Sequence, residues 1–331
     1  MLIRQLISEL PASKKYQGHH AIFDEFAPYS GLVKAGFNVD WVGSITHKST
    51  IVWHFPDHDR TEIAVLPDME EEYFEWIDIL QSVKEAGSTY TIVELGAGYG
   101  RWGAIGVMAA RQKRIKNART ILVEAEPKHI EWAHQHMKYN HIEPSDYKLY
   151  EMAVGGKHDK ILFWVSAPTE KGLTNPQDWY GQSIVQEGLQ NRAAATNYMY
   201  MGKPLVSLAD GWGAIEVDLV PLATVLQDVT FVDLIDMDVQ GAEADVIENG
   251  IDVLNQKVRR VHIGTHSHEV EERIRTAMIK QNWINIWDFP CQGESDTPYG
   301  RIKFGDGVQS WLNPHLQNNN PVPPPAGIKL F

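Results

Sequence analysis

The stretch VELGAGYGRWG, residues 93–103, decides the fold. An apolar run ends in Glu94, glycines follow at 96, 98 and 100, and an alanine-rich segment comes next. Glycine tolerates positive φ and places no Cβ over the main chain, so a ligand can lie directly on the backbone. A strand, a glycine turn and a helix in that order mark the place where doubly wound α/β sheets bind their ligands, outside the carboxyl ends of the strands. The dinucleotide fingerprint Gly-x-Gly-x-x-Gly would need a third glycine at 101, where this chain has arginine. Alternate glycines behind an acidic residue suit instead a nucleoside that carries an amino-acid tail.

Outward from this turn, apolar runs of strand length alternate with helical segments. The runs are TIVELG, TILVEAE, KLYEMAV, FVDLIDMD, RRVHIGTH, INIWDF and RIKFGDGVQSW, with helices expected over 101–116, 127–139, 241–249 and 267–281. Apolar strands alternating with helices predict a mostly parallel sheet covered on both faces. Two strand-like segments in succession at the end predict an antiparallel strand at one edge. PDMEEEYFEWIDILQSVKEAG predicts a preceding helix, with Asp68 and Glu71 at capping-box spacing. The expected organisation is an N-terminal extension with short strands over 1–66, a catalytic domain over 67–313 and a proline-rich tail over 314–331.

Composition narrows the partners. The chain has 331 residues, a formal charge of −13 and a single cysteine, Cys291. One cysteine excludes an internal disulfide framework, which predicts a cytoplasmic location. The negative charge argues against nucleic acid, and no apolar run reaches the roughly 18–20 residues of a membrane span. The basic cluster RQKRIKNAR at 111–119 reads as the end of a helix. The sequence leaves a homo-oligomer open.

At the end of the second strand, VEAEP offers Glu124 and Glu126. A carboxylate there can accept hydrogen bonds from both ribose hydroxyls. Glu126, beside Pro127 at the helix start, is the expected ligand.

ELGAGYG, VEAEP with its helix ending at Asn140, and VDLIDMDVQGAEADVIENG at 232–250 together resemble a class I S-adenosylmethionine-dependent methyltransferase, and more narrowly the FkbM family. In the third motif the matching positions are Asp238, Gln240, Gly241 and Glu243; Asp236 stands where lysine is usual, and Gln240 where glutamate is customary. The resemblance covers roughly 90–290. It implies a seven-stranded sheet with a reversed last strand, S-adenosylmethionine over strands one and two, and the acceptor over strands four and five. By the same resemblance Gly96, Ala97 and Gly98 lie along the methionine part, Glu126 holds the ribose, Met152 and Ala153 line the adenine, and Glu94 orients the loop or the amino group. The acceptor it implies is a small molecule, a hydroxyl on a sugar or other secondary metabolite.

O-methylation needs the acceptor's proton to leave, through a positioned base or a metal that lowers the hydroxyl's pKa. Asp236 and Asp238 share a strand face, and His266 and His268 stand at the end of the next strand. Two uses fit: Asp238 and His266 as a base with its orienting partner, or the same pair joined by Asp236 or His268 around a divalent ion. Rival readings of the whole chain are a nicotinamide-dependent oxidoreductase and a nucleoside-binding module without catalysis. Among weaker features, HFPDHD at 54–59 reads as a turn before it reads as a metal site. The segment 172–188 is too long for a plain connection and offers Trp179, Tyr180 and Gln182 for an acceptor lid. Asp306-Gly307 reads as a hairpin turn.

Overall fold

A computed structural model describes residues 18–316 apart from 52, 167, 170, 171, 174–180 and 210. Its centre is a seven-stranded sheet: β1 (Thr89–Leu95), β2 (Asn117–Glu124), β3 (Tyr147–Glu151), β4 (Leu234–Met237), β5 (Arg260–Thr265), β6 (Ile284–Phe289) and β7 (Gly307–Leu312). The spatial order is β3-β2-β1-β4-β5-β7-β6. Neighbours are parallel except that β7 runs against both β5 and β6. The expected antiparallel pairing is therefore present, with the reversed strand one place in from the edge and β6 outermost. The chain reverses direction of travel between β1 and β4, and this switch leaves a crevice above their carboxyl ends.

The strands are apolar on both faces because helices cover both. Helices α1 (Glu72–Glu85) and α2 (Arg101–Gln112) bury Phe74, Trp76, Leu80, Ala104 and Ile105 against Tyr90 and Ile92 of β1. Helix α3 (Pro127–Tyr139) packs beside α2 and contributes Ala133 and Met137. On the opposite face α4 (Glu243–Lys257) and α5 (His268–Lys280) press Val246, Ile247, Ile274 and Met278 onto Ile235, Met237, Val261 and Ile263. Each such side chain contributes about 1.5–3 kcal/mol by leaving water. Helix α5 starts as its sequence predicts, with the Ser267 side chain accepting from the Val270 amide at 3.2 Å. The capping box predicted for α1 does not form: Glu71 makes no cap to its own helix and instead accepts from the Gly305 and Asp306 amides.

Residues before α1 are not separate from this core. Ile22, Phe23, Phe26 and Val42 belong to the same buried cluster as α1 and α2. The long connection from β3 to β4 builds a second sheet, in which the strand Gly213–Pro221 pairs in parallel with Ala153–Gly155 and antiparallel with Asp159–Ser166. The hairpin Ala194–Tyr200 and Lys203–Ser207 extends it. This sheet stands beside the crevice and becomes one of its walls.

Candidate active site

A cleft of about 140 Å³, open to solvent at its mouth, lies at the β1–β4 switch. Its lining joins Gly96 and Gly98 of the glycine turn, Glu124 and Ala125 after β2, Met152 and Ala153 after β3, and Asp238 to Gln240 after β4. Phe163, Gln182 and Ile184 of the insertion complete it. Of the lid residues expected from sequence, Gln182 reaches the cleft, and Trp179 and Tyr180 lie outside the described residues.

The glycine turn is held by backbone bonds across to β2. The amides of Gly96 and Ala97 both donate to the Val123 carbonyl at 3.0 Å, and that of Gly98 donates to Glu124 Oε2 at 2.6 Å. Gly96 has φ +78°, and a Cβ built on it would fall 1.7 Å from the Asp238 carbonyl oxygen. The bareness there has a reason the sequence did not show: the end of β4 crosses against the turn backbone to backbone. Ala97 is buried behind the turn and is not part of the lining.

Glu94 also sits behind the turn, where it accepts from the Gly103 amide at 2.8 Å and the Trp102 amide at 3.3 Å, the free donors of the first turn of α2. Burial, reinforced by the Asp236 charge, holds its carboxyl well above the usual range. It thus ties the end of β1 to the start of α2. Tyr99 and Trp102 pack inward, edge-on to His136 and Trp76.

The two carboxylates after β2 exchange their expected places. Glu126 is fully buried and outside the lining. It caps α3 through the His129 amide at 2.6 Å and accepts from the Tyr200 hydroxyl at 2.6 Å. Its proline neighbour marked a helix start, and the carboxylate serves that start. Glu124 faces the cleft, its Oε1 fixed by the amides of Ala125 and Glu126 at 2.8 and 2.7 Å.

On the far lip, three ionisable groups form a row of increasing exposure. Glu243, in the first turn of α4, is fully buried and receives the Gly241 amide at 2.9 Å. Its Oε1 lies 2.8 Å from His266 Nδ1. His266 Nε2 faces Asp238 Oδ1 at 3.3 Å, and Asp238 is half-exposed in the cleft. Asp306, on the turn before β7, brings its Oδ1 within 3.7 Å of the same Nε2. Burial opposes a charge on His266, but the Glu243 hydrogen bond and the charges of Glu243, Asp238 and Asp306 outweigh it and lift the imidazole to about 9. Partial desolvation in the cleft, with the charges of Glu243 and Asp306, raises Asp238, and the imidazole works against the rise.

Asp238 and His266 thus meet as expected, whereas neither third partner named from sequence joins them. Asp236 sits deeper, grouped with Glu75 and His262 beneath α1, and His268 turns to Glu271 at 2.9 Å, with Cys291 beside it. Burial raises both Glu75 and Asp236. Glu243 and Asp306 take the places beside His266 instead. The helix-start position hid the first, and the turn-like Asp-Gly pair hid the second. Among the described residues, HFPDHD forms no metal-ligand group: Asp59 pairs with Lys34, and His58 with Asp57.

Sheet order, the reversed strand β7 and a cleft over β1 and β4 define the class I methyltransferase fold. The comparisons with known proteins then make the assignment specific. The model of the methyltransferase FkbM domain matches residues 96–286, more than half of the chain, and the protein belongs to the FkbM methyltransferase family. A protein of Jannaschia sp. (strain CCS1), itself provisionally described as a methyltransferase, is 26% identical over 249 residues, covering 73% of this chain and 79% of that one. A crystal structure of methyltransferase FkbM from Methylobacillus flagellatus KT aligns at a TM-score of 0.39 and 10% identity over 68% of this chain and 44% of that one, so the chain spans less than half the length of that protein. TrmK of M. capricolum, solved with S-adenosyl-homocysteine, aligns at a TM-score of 0.35 and 8% identity over 73% of this chain and 70% of its own.

Proposed function

We propose that the protein transfers the methyl group of S-adenosylmethionine to a hydroxyl of a small molecule, a sugar or other secondary metabolite. The observation that carries the reading is a cleft with a backbone floor at Gly96 and Gly98, a carboxylate at Glu124 on one side and Asp238 on the other lip. In this reading the methionine part lies on Gly96 and Gly98, with Glu94 and Ala97 supporting the turn from behind. Glu124, rather than Glu126, takes the two ribose hydroxyls, and Met152 and Ala153 meet the adenine. The hydroxyl class follows from the family resemblance, and Asp238 with His266 supplies what a hydroxyl acceptor requires.

Methyl transfer is an in-line displacement. The acceptor oxygen forms its bond to the methyl carbon as the carbon–sulfur bond breaks, and the sulfur leaves with the electron pair as a neutral thioether. The hydroxyl proton passes to Asp238, which His266 positions and Glu243 anchors from below. Holding donor and acceptor in line supplies much of the acceleration.

Calorimetry with S-adenosylmethionine and S-adenosylhomocysteine, with a nicotinamide dinucleotide as control, tests the reading. Heat with both sulfur compounds and none with the control is expected; no heat with either sulfur compound refutes it.

A further inference from the structure

We propose that His266 Nε2, Asp238 and Asp306 form a divalent-cation site on the lip of the cleft, with Glu243 as the buried carboxylate that orients the imidazole. The inference rests on reading this lip as the place where an acceptor hydroxyl loses its proton.

The geometry starts from the tautomer. Glu243 Oε1, 2.8 Å from His266 Nδ1, already receives the Gly241 amide and as a carboxylate can only accept, so Nδ1 carries the hydrogen. Nε2 then points at the two aspartates, and an ion that displaces its proton takes its lone pair. That atom is buried and has no hydrogen-bond partner, and Glu243, fully buried, has a second oxygen in the same condition. Buried polar atoms rarely stay unpaired without a use.

Around Nε2 stand Asp238 Oδ1 at 3.3 Å and Asp306 Oδ1 at 3.7 Å. An ion bound at about 2.1 Å by nitrogen and oxygen sets adjacent ligands about 3.0 Å apart at right angles and about 3.4 Å apart at the tetrahedral angle. The two separations measured from Nε2 lie close to those values, and an ion would draw Asp238 and Asp306 together around it. Gln240 donates to Asp238 Oδ1 at 2.8 Å, which occupies one lone pair and leaves the carboxylate free to bind through the others. The row Glu243, His266, ion is the carboxylate–histidine–metal arrangement that fixes a ligating imidazole.

Three chain segments that are distant in sequence converge here: the end of β4, the end of β5 and the turn before β7. Glu71 of α1 holds that turn in place by accepting from the Gly305 and Asp306 amides at 2.7 and 3.2 Å. One imidazole with hard oxygen ligands fits Mn²⁺, Mg²⁺ or Zn²⁺. An acceptor hydroxyl on the ion would ionise more readily, its proton passing to the free oxygen of Asp238.

Mn²⁺ titration of the purified full chain, followed by electron paramagnetic resonance, tests the site. One ion per chain is expected in the wild type. Affinity should fall by about 10- to 100-fold in Glu243→Gln, and by at least as much in Asp306→Asn and His266→Ala. Asp306 is half-exposed, and retention of S-adenosylhomocysteine binding by Asp306→Asn shows that this variant is folded. Absence of stoichiometric Mn²⁺ in the wild type, or equal binding by the wild type and Asp306→Asn, overturns the site. If S-adenosylhomocysteine binds and Mn²⁺ does not, the cation alone is refuted and the methyltransferase reading stands. If Mn²⁺ binds and S-adenosylhomocysteine does not, the reverse holds.

Discussion

Gly96→Ala tests the physical reason for the bare turn. The new Cβ would lie 1.7 Å from the Asp238 carbonyl oxygen, whereas carbon and oxygen in close contact stay about 3.3 Å apart. The oxygen must retreat by about 1.6 Å, and the Asp238 amide that bonds Leu95 at 2.9 Å moves with it. Positive φ costs an alanine about 1–2 kcal/mol. Losing the β1–β4 bond adds about 1 kcal/mol, and the overpacking adds about 1–3 kcal/mol. The sum is about 3–6 kcal/mol. Gly202 is a matched control, with φ +82° and nothing within 4 Å of its Cβ position, so Gly202→Ala should cost only the backbone part, about 1–2 kcal/mol. Denaturant unfolding of both variants measures the difference, expected near 3 kcal/mol. Because the displaced strand end carries Asp238 and Gly96 lines the cleft, Gly96→Ala should also lose S-adenosylhomocysteine binding, and Gly202→Ala should keep it. Equal destabilisation of the two variants would show that the backbone crossing at Gly96 does not constrain the turn.

Glu124→Gln should weaken S-adenosylhomocysteine by about 1.5–3 kcal/mol, the worth of hydrogen bonds to a charged group, and Glu126→Gln should lower stability more than affinity; calorimetry on the pair decides which carboxylate meets the ribose. Asp238→Asn should reduce methyl transfer by about 10²- to 10⁴-fold while cofactor affinity stays within a few-fold, and unchanged transfer removes Asp238 from the chemistry. Asp78 is buried against His262 at 2.8 Å and Arg260 at 3.0 Å, and although burial opposes ionisation these partners hold its carboxyl below the ordinary value. Its stabilising contribution is therefore complete above the unfolded carboxylate range near 4 and is lost as pH falls below it. Acid unfolding should show this loss in the wild type, whereas Asp78→Asn, which leaves buried Arg260 with Glu85 but without Asp78 and His262 without its carboxylate, should cost about 1–3 kcal/mol at neutral pH and flatten the acid limb.

Local pattern carried most of the architecture. Apolar runs of strand length, a serine before α5 and glycines behind Glu94 are short-range signals, each set by what its own side chains do to a few neighbouring dihedrals and one buried face. They were enough for an α/β sheet with helices on both sides, for a glycine turn at 96–98 and for Asp238 and His266 at adjoining strand ends. Orientation at the end of a strand is different, because a carboxylate there turns toward whichever donors the fold presents. The amides of Ala125 and Gly98 draw Glu124 to the cleft, and Tyr200, 74 residues away, draws Glu126 from it. Glu243 and Asp306 reach His266 only when α4 and the turn before β7 converge over the end of β5. No local spacing encodes that meeting, since it depends on β7 entering the sheet between β5 and β6. The sequence by itself determined the sheet, its helices and the place of the turn; tertiary packing decided which acids face the cleft and which partners stand around the imidazole, because side-chain direction is settled by partners that only long-range contacts bring near.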